Sequence, residues 1–147
     1  MIYDTIPITR LIGLASGIQM KTQRAAEREL KSLGLTYAQF GTLTAIRERD
    51  GRSQTELAHR LESDANTVMV ICDSLQKKGL VDRKADPADR RVWRICITPR
   101  GGQAITKARE AVERLYTPLL SVLTDQEIAA AVPVLEKLYG CLKERER

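Results

Sequence analysis

Apolar residues recur at intervals of three and four along most of the chain, which is the period of an amphipathic helix. The stripe that begins after Pro7 and runs to Gly34 predicts a first helix of about 25 residues. A second stripe predicts a helix between Ser63 and Gly79 with its apolar face toward the core. That face consists of Val68, Ile71, Cys72 and Leu75. Gly79 can take the left-handed conformation at the end of this helix, and Leu80 can then contact Leu75, which predicts a Schellman stop.

Three stretches have the spacing of a capping box, in which Ser or Thr precedes Glu or Gln by three residues. They begin at Thr36, Ser53 and Thr124. The first box predicts a helix from Thr36 to about Arg49, where Asp50-Gly51 should end it. The second box predicts a short helix that ends near Leu61, and the third predicts a C-terminal helix.

The apolar period changes to two after Leu80, which is typical of strands. Residues 80–84 and 92–97 are the two predicted strands, and residues 85–89 have the composition of a turn. The pattern therefore predicts a β-hairpin with a charged tip. Trp93, Ile95 and Ile97 share one face of the second strand, so we expect Trp93 in the core.

A further helix follows the hairpin, because Thr98 can cap it and Pro99 suits its first position. It should run to about Tyr116 and bend or break at Pro118. Helix, tight turn, helix and hairpin in this order form a winged helix-turn-helix, in which the second helix enters the DNA major groove. The predicted fold class is mostly α with a small β-hairpin wing.

The positive charge of the chain is concentrated on this motif. The formal net charge is +5, and residues 77–100 contain eight basic and three acidic residues, so the rest of the chain is balanced. A local excess of this kind favours a polyanionic partner, although a solvated surface would carry the same charge.

The scarce residue types argue against an enzyme. The chain has one His and three widely spaced Cys, and it has neither a P-loop nor a dinucleotide-binding glycine motif. We therefore expect no enzymatic activity, no cofactor and no metal site. The chain also has no apolar run of about 18 residues and no signal-peptide pattern at its start, which indicates the cytoplasm.

Several stretches resemble the MarR (multiple antibiotic resistance regulator) family of transcriptional regulators. They are LTYAQFGTL from residue 35, SQTELAHRL from residue 53, and LQKKGLVDRKADPADRRVWRICITPRG from residue 75. The resemblance implies a homodimer, with residues 35–98 as the winged helix-turn-helix domain and residues 1–34 and 99–147 as the helical dimerisation region. It implies a regulator, most often a repressor, that binds a pseudo-palindromic operator in double-stranded DNA and is released by a small aromatic effector.

The resemblance also implies two sets of site residues, with Asp89 orienting Arg91 for the DNA minor groove. Many relatives have Arg where this chain has Val70, so the base-reading surface is less polar here. The expected DNA-binding residues are Ser53, Asp64, Asn66, Thr67, Val70, Lys77, Arg83, Asp89, Arg90 and Arg91. The expected effector-binding residues are Ile12, Ser16, Gln19, Met20, Tyr37 and Phe40.

Two alternatives stay open at this point. The effector-binding residues could be ordinary helix–helix core. The chain could also be a winged-helix protein-interaction module without specific DNA binding, since winged helices bind proteins as well. The basic wing favours DNA.

Overall fold

The computed structural model describes residues 7–145, which form six helices and three short strands. The chain divides into two compact units, residues 1–112 and residues 113–147. The helices are α1 (Pro7–Ser32), α2 (Tyr37–Glu48), α3 (Gln54–Arg60), α4 (Ala65–Lys77), α5 (Pro99–Leu120) and α6 (Asp125–Arg145). The strands are β1 (Arg52–Ser53), β2 (Val81–Ala85) and β3 (Trp93–Ile97).

The three capping boxes are confirmed. In the first, the Gln39 amide donates to Thr36 Oγ1 and the Thr36 amide donates to Gln39 Oε1, both at 3.1 Å. Ser53 with Glu56 and Thr124 with Glu127 make the same reciprocal pairs. Because each box satisfies two amides that the helix leaves without partners, these helix starts are encoded locally.

The end of α4 is also encoded locally. Gly79 has a φ of 69°, in the left-handed region that favours glycine. The Leu80 amide donates to the Leu75 carbonyl at 3.0 Å, and the Gly79 amide donates to the Gln76 carbonyl at 2.8 Å. Leu75 and Leu80 are both buried, which completes the Schellman stop that the sequence predicts.

The sheet contains a strand that the sequence analysis did not predict. Its order is β1-β3-β2, and both pairings are antiparallel. Arg52 pairs with Ile95, and Val81 pairs with Ile97. A two-residue strand is too short to show an alternating pattern, so only its pairing partner reveals it.

The core of residues 7–112 lies between the helices and this sheet. Leu30 of α1, Ile46 of α2 and Ile95 of β3 are fully buried. Gly101 in the first turn of α5 lies so close to the chain after α4 that an added Cβ would be 2.0 Å from the Leu80 carbonyl oxygen. The remaining fully buried large side chains are Leu43, Leu57, Leu75, Ile105, Val68, Val81, Thr42 and Cys72.

The prediction that Trp93 belongs to the core is wrong. Its exposed fraction is 53%, whereas Ile95, two residues along the same face, is fully buried. Trp93 is the first residue of β3 and pairs with Ala85, at the end of the hairpin next to the turn. Alternation identifies the face of a strand, but it does not reveal how far the helices extend along that face.

Trp93→Ala is therefore expected to lower the free energy of unfolding by less than about 1.5 kcal/mol, against about 3–5 kcal/mol for truncating a buried aromatic side chain. Ile95→Ala is the control and should cost about 2–5 kcal/mol, because it leaves a cavity in the core. Urea denaturation measures both changes. Equal losses for the two variants would contradict the exposure of Trp93.

Two prolines lie inside helices. The expectation that the helix starting at Pro99 ends near Tyr116 is wrong, because α5 continues past Pro118 to Leu120. Only two residues follow Pro118, so the missing amide and the ring crowding affect only the last turn. Pro133 lies within α6, which is also continuous.

The second unit consists of the end of α5 and all of α6, and none of the described residues of α6 is buried. Its exposed large apolar side chains include Leu119, Leu120, Val122, Leu123, Val132, Val134, Leu135, Tyr139 and Leu142. Within residues 7–145, no single helix is long and apolar enough to cross a membrane, and only α5 and α6 taken as a bent pair meet that requirement.

Candidate nucleic-acid interface

Helix α4 presents its first turn to solvent. Asp64 caps the helix: its carboxylate accepts the Thr67 amide at 2.8 Å and the Thr67 hydroxyl at 2.5 Å. The same bonds, that of the hydroxyl first, lower the pKa of Asp64. Asn66 is exposed, and Val70, one turn further on, has an exposed fraction of 63%. Asp64 and part of Thr67 are thus engaged in the cap, whereas Asn66 and Val70 are open to a partner.

Helix α3 holds this end of α4 in place. Gln54 Nε2 donates to the Ala65 carbonyl at 3.0 Å, which joins the starts of the two helices. Ser53 is half-buried, and its hydroxyl accepts the Glu56 amide at 3.2 Å. Ser53 therefore serves first as a helix cap.

The turn between β2 and β3, the wing turn (residues 86–92), is organised by Asp86. Asp86 is 8% exposed, and its carboxylate accepts the amides of Ala88 at 2.7 Å and Asp89 at 3.3 Å. It also accepts a hydrogen bond from Arg94 Nε. The Ala88 amide and then the Arg94 guanidinium lower the pKa of Asp86. A carboxylate with these donors fixes the wing turn in one shape.

Arg91 projects from the wing turn while remaining tied to its neighbour. Its Nε and Nη2 donate to the two carboxylate oxygens of Asp89, each at 3.1 Å. The Arg91 side chain is nevertheless 91% exposed. The pairing raises the pKa of Arg91 and lowers that of Asp89. The resemblance implies this pairing, and here it orients an otherwise exposed guanidinium.

The other expected basic contacts fall into two kinds. Arg83 is half-buried and forms an ion pair with Asp73, which ties β2 to α4. Lys77 at the end of α4 and Arg90 in the wing turn are exposed. Arg83 therefore holds the wing against α4 as well as adding charge, whereas Lys77 and Arg90 extend into solvent.

Sequence reasoning missed a hub beneath the wing turn, centred on Arg94. Besides Asp86, Arg94 Nη1 donates to Glu56 Oε2 at 2.7 Å and to the Gly51 carbonyl at 3.4 Å. Glu56 also pairs with Arg49 at 2.5 Å. The hub connects the wing turn to the start of α3. The only sequence signal is that Arg94 alternates with Ile95 and so faces away from the core.

The charge of Glu56 should make the free energy of unfolding depend on pH under acidic conditions. Its hydrogen bond from the Ser53 amide, with those from Ser53 Oγ and Arg49, lowers the pKa of Glu56 from 4.5 to about 2. A folded-state pKa below the unfolded one stabilises the fold above about pH 4.5, and this contribution is lost as the pH falls toward about 2. As the pH falls, Glu56→Gln should therefore lose less stability than the unchanged protein. The free energy of unfolding, measured between pH 2 and 7, tests this.

The matched control is Glu136→Gln on α6, which removes an exposed carboxylate. It should reproduce the acid dependence of the unchanged protein. If Glu56→Gln did the same, the carboxylate of Glu56 would contribute nothing to the hub.

The expected effector-binding residues are only partly brought together. Ile12, Ser16, Gln19 and Met20 are exposed on α1, while Tyr37 and Phe40 are half-buried on α2 with ring centroids 6.4 Å apart. A shallow pocket of about 400 Å³ on α1 includes Ser16 and Met20 and no residue of α2. Neither group is buried as helix–helix core in residues 7–112.

The thiols and acidic groups offer little further chemistry. Burial raises the pKa of the Cys72 thiol to about 11, and burial also raises that of Cys96. Within residues 7–145, no group of three or more His, Cys, Asp or Glu side chains could hold a metal ion.

Comparison with known proteins identifies the architecture. The sequence profile of the MarR family matches residues 33–92. The HTH-type transcriptional regulator YsmB of Bacillus subtilis is 31% identical over 116 residues, which cover 79% of this chain and 80% of that protein. The chain belongs to the MarR family. It is a winged helix-turn-helix transcriptional regulator.

Two further relatives agree. A putative transcriptional regulatory protein for the hcr operon of Thauera aromatica is 32% identical over 106 residues. The match covers 72% of this chain and 64% of that protein, which is less than two thirds of its length. A mutant MarR from E. coli, solved in complex with operator DNA, is 29% identical with a TM-score of 0.80. That match covers 94% of this chain and 97% of the E. coli chain.

Proposed function

We propose that this MarR-family regulator acts as a homodimeric repressor that binds a pseudo-palindromic operator and is released from it by a small aromatic effector. The observation that carries the proposal is the exposed Arg91 guanidinium, held by Asp89 on a wing turn that Asp86 fixes from within. A repressor of this kind occludes the promoter by occupying it. It needs no cofactor and catalyses no reaction, and we expect it to act in the cytoplasm.

The dimer is supported by the apolar surface of the flanking helices. Exposed apolar patches larger than a few hundred Å² mark interaction sites in soluble proteins. We assign residues 1–34 and 99–147 to the dimerisation region and residues 35–98 to DNA binding. The exposed large apolar side chains of α1 are Ile8, Ile12, Leu14, Ile18 and Met20, and those of α6 include Val132, Val134, Leu135, Tyr139 and Leu142.

The mode of DNA binding follows from the exposed groups of α4 and the wing. With α4 in the major groove, Asn66 and Thr67 contact base edges, and Val70 contacts a thymine methyl group. Arg91 enters the adjacent minor groove, where a narrow groove has an enhanced negative potential. Lys77, Arg83 and Arg90 face phosphates, while the Ser53 and Asp64 caps orient the helix starts toward the backbone.

The effector is assigned to the surface near Ile12, Ser16, Gln19, Met20, Tyr37 and Phe40. The exposed apolar side chains of α1 and the two half-buried aromatic rings of α2 are the groups available for this role. Stacking on such rings suits an aromatic molecule. Because α1 belongs to the assigned dimerisation region and α2 packs in the DNA-binding domain, an effector there would change the distance between the two wings.

Selection of bound sequences from random duplex DNA tests the proposal. The expected site is a pseudo-palindrome whose half-sites are separated by about one helical turn, roughly 10 bp. Sedimentation should show a dimer at micromolar concentration. A folded 16.5 kDa monomer, or the absence of an enriched sequence, would contradict the proposal, and the latter result would favour the protein-interaction module.

A further inference from the structure

A cleft of about 360 Å³ separates helix α4 from the wing, and we call it the α4–wing cleft. Its lining residues are Gln54, Met69, Gln76, Arg83 and Trp93. Gln54 begins α3, while Met69 and Gln76 are seven positions apart and share one face of α4. Arg83 and Trp93 come from β2 and β3. Apart from Arg83, none of these residues is among the expected DNA contacts.

Trp93 is the unusual residue of this cleft. Its exposed fraction is 53%, and that of Met69 across the cleft is 40%. Within residues 7–145, Trp93 Nε1 has no hydrogen-bond partner. An indole combines an apolar ring with one N–H group that can only donate. Trp93 therefore suits a partner that offers an apolar surface next to an acceptor oxygen.

The cleft offers neutral donors more than net charge. No lining residue is acidic, but the guanidinium of Arg83 forms an ion pair with Asp73 of α4, so its charge is compensated. Gln76 is exposed and makes no side-chain hydrogen bond in the described part of the chain. Gln54 Nε2 donates to the Ala65 carbonyl at 3.0 Å, which leaves the second proton of this amide available.

The location of the cleft indicates what occupies it. It lies between the exposed face of α4, which includes Asn66 and Val70, and the wing that ends in Arg91. If α4 enters the major groove and Arg91 the adjacent minor groove, the sugar–phosphate strand between the two grooves must pass between α4 and the wing. This strand presents phosphate oxygens as acceptors and deoxyribose rings as apolar surface, which are the two features that Trp93 suits.

We propose that the α4–wing cleft holds this sugar–phosphate segment, with the Trp93 ring packed on a deoxyribose and Trp93 Nε1 donating to a phosphate oxygen. Gln76 donates to a neighbouring phosphate from the opposite wall. Trp93 is then a positioning residue: it fixes where the protein sits along the duplex and does not read the bases. This inference rests on the proposed function, because it requires α4 and the wing to bind DNA together.

The fluorescence of Trp93 tests the contact directly, because Trp93 is the only tryptophan of the chain. The neutral quencher acrylamide should reach the indole in the free full-length protein. Addition of the duplex selected from random DNA should lower the quenching constant severalfold. Anisotropy of the same duplex, labelled with fluorescein, shows independently whether it is bound.

Trp93→Phe keeps an aromatic ring and removes the N–H donor. It should weaken binding of the selected duplex by about two- to tenfold for each wing that contacts DNA, since a neutral hydrogen bond contributes about 0.5–1.5 kcal/mol. Trp93→Ala should weaken it further. A neutral donor releases no counterion, so neither variant should change the slope of log affinity against log salt. A random-sequence duplex should lose the same factor, because the contact is to the backbone.

Gln76→Ala and Gln103→Ala form a matched pair on the two sides of the molecule's sequence. Both remove an exposed glutamine from a helix, but Gln103 lies on α5 outside the cleft. Gln76→Ala should weaken binding by about two- to tenfold, as loss of a neutral hydrogen bond does, and Gln103→Ala should leave it unchanged. Circular dichroism checks that every variant is folded.

The failure of this inference can be told apart from the failure of the proposed function. If the duplex binds while acrylamide still reaches Trp93 and Trp93→Phe binds as tightly as the unchanged protein, the cleft does not hold the backbone and only this inference is wrong. If no duplex binds, both are wrong. If Trp93 is already protected from acrylamide in the free protein, another part of the protein covers the cleft, and the inference is also wrong.

Discussion

Arg91→Ala is expected to weaken operator binding by about 1–3 kcal/mol for each wing that reaches the minor groove. The guanidinium is oriented before binding by its two bonds to Asp89, so little side-chain freedom is lost when it enters the groove. The slope of log affinity against log salt should become shallower by about 1 per lost contact. Fluorescence anisotropy over a salt series measures both effects.

Two controls accompany this prediction. Lys31→Ala removes one exposed positive charge from the last turn of α1 and should leave affinity and slope almost unchanged. Asp89→Ala should give a milder defect than Arg91→Ala, because it loosens the arginine without removing it. Unchanged affinity and slope for a folded Arg91→Ala protein would place the wing outside the DNA interface.

Gly101→Ala should be among the most destabilising single substitutions in the chain, at or beyond the upper end of the roughly 1–3 kcal/mol that overpacking costs. An added Cβ would lie 2.0 Å from the Leu80 carbonyl oxygen and 3.0 Å from Ile97. The backbone cannot yield easily, because the Leu80 carbonyl accepts the Thr98 amide and the Gly101 amide donates to Thr98 Oγ1. The first turn of α5 would have to move away from the sheet.

The next residue provides the control. An added Cβ at Gly102 would meet no atom within 4 Å, and its backbone is helical. Gly102→Ala should therefore stabilise the protein by roughly 0.5–1 kcal/mol, since alanine restricts the unfolded chain and favours helix. Chemical denaturation distinguishes the two variants. If both variants were more stable than the unchanged protein, α5 would not approach Leu80 so closely.

Features that depend on a few consecutive residues were predictable from the sequence. Each capping box lies within four residues, and the Schellman stop of α4 needs only Leu75, Gly79 and Leu80. The order of helices and strands in the winged helix-turn-helix was also predictable, because each element has its own local pattern. The pairing of Asp89 with Arg91, two residues apart, was implied by the resemblance to the MarR family, and the structure contains it.

Features that join distant parts of the chain were not predictable. Arg94 meets Glu56 from a position 38 residues later in the chain, and β1 exists only because β3 lies beside it. Trp93 follows the same alternation as Ile95 yet is exposed, because the layer that covers Ile95 does not reach it.

The carboxylate beside Arg91 has a consequence for the rates of binding. At distances beyond the Debye length, about 8 Å at physiological salt, the paired Arg91 and Asp89 present almost no net charge. We therefore expect long-range attraction to DNA to come from exposed cations such as Lys77, Lys84 and Arg90. In the proposed complex the wing-tip arginine acts only after contact, so we expect it to govern how long the complex lasts rather than how quickly it forms.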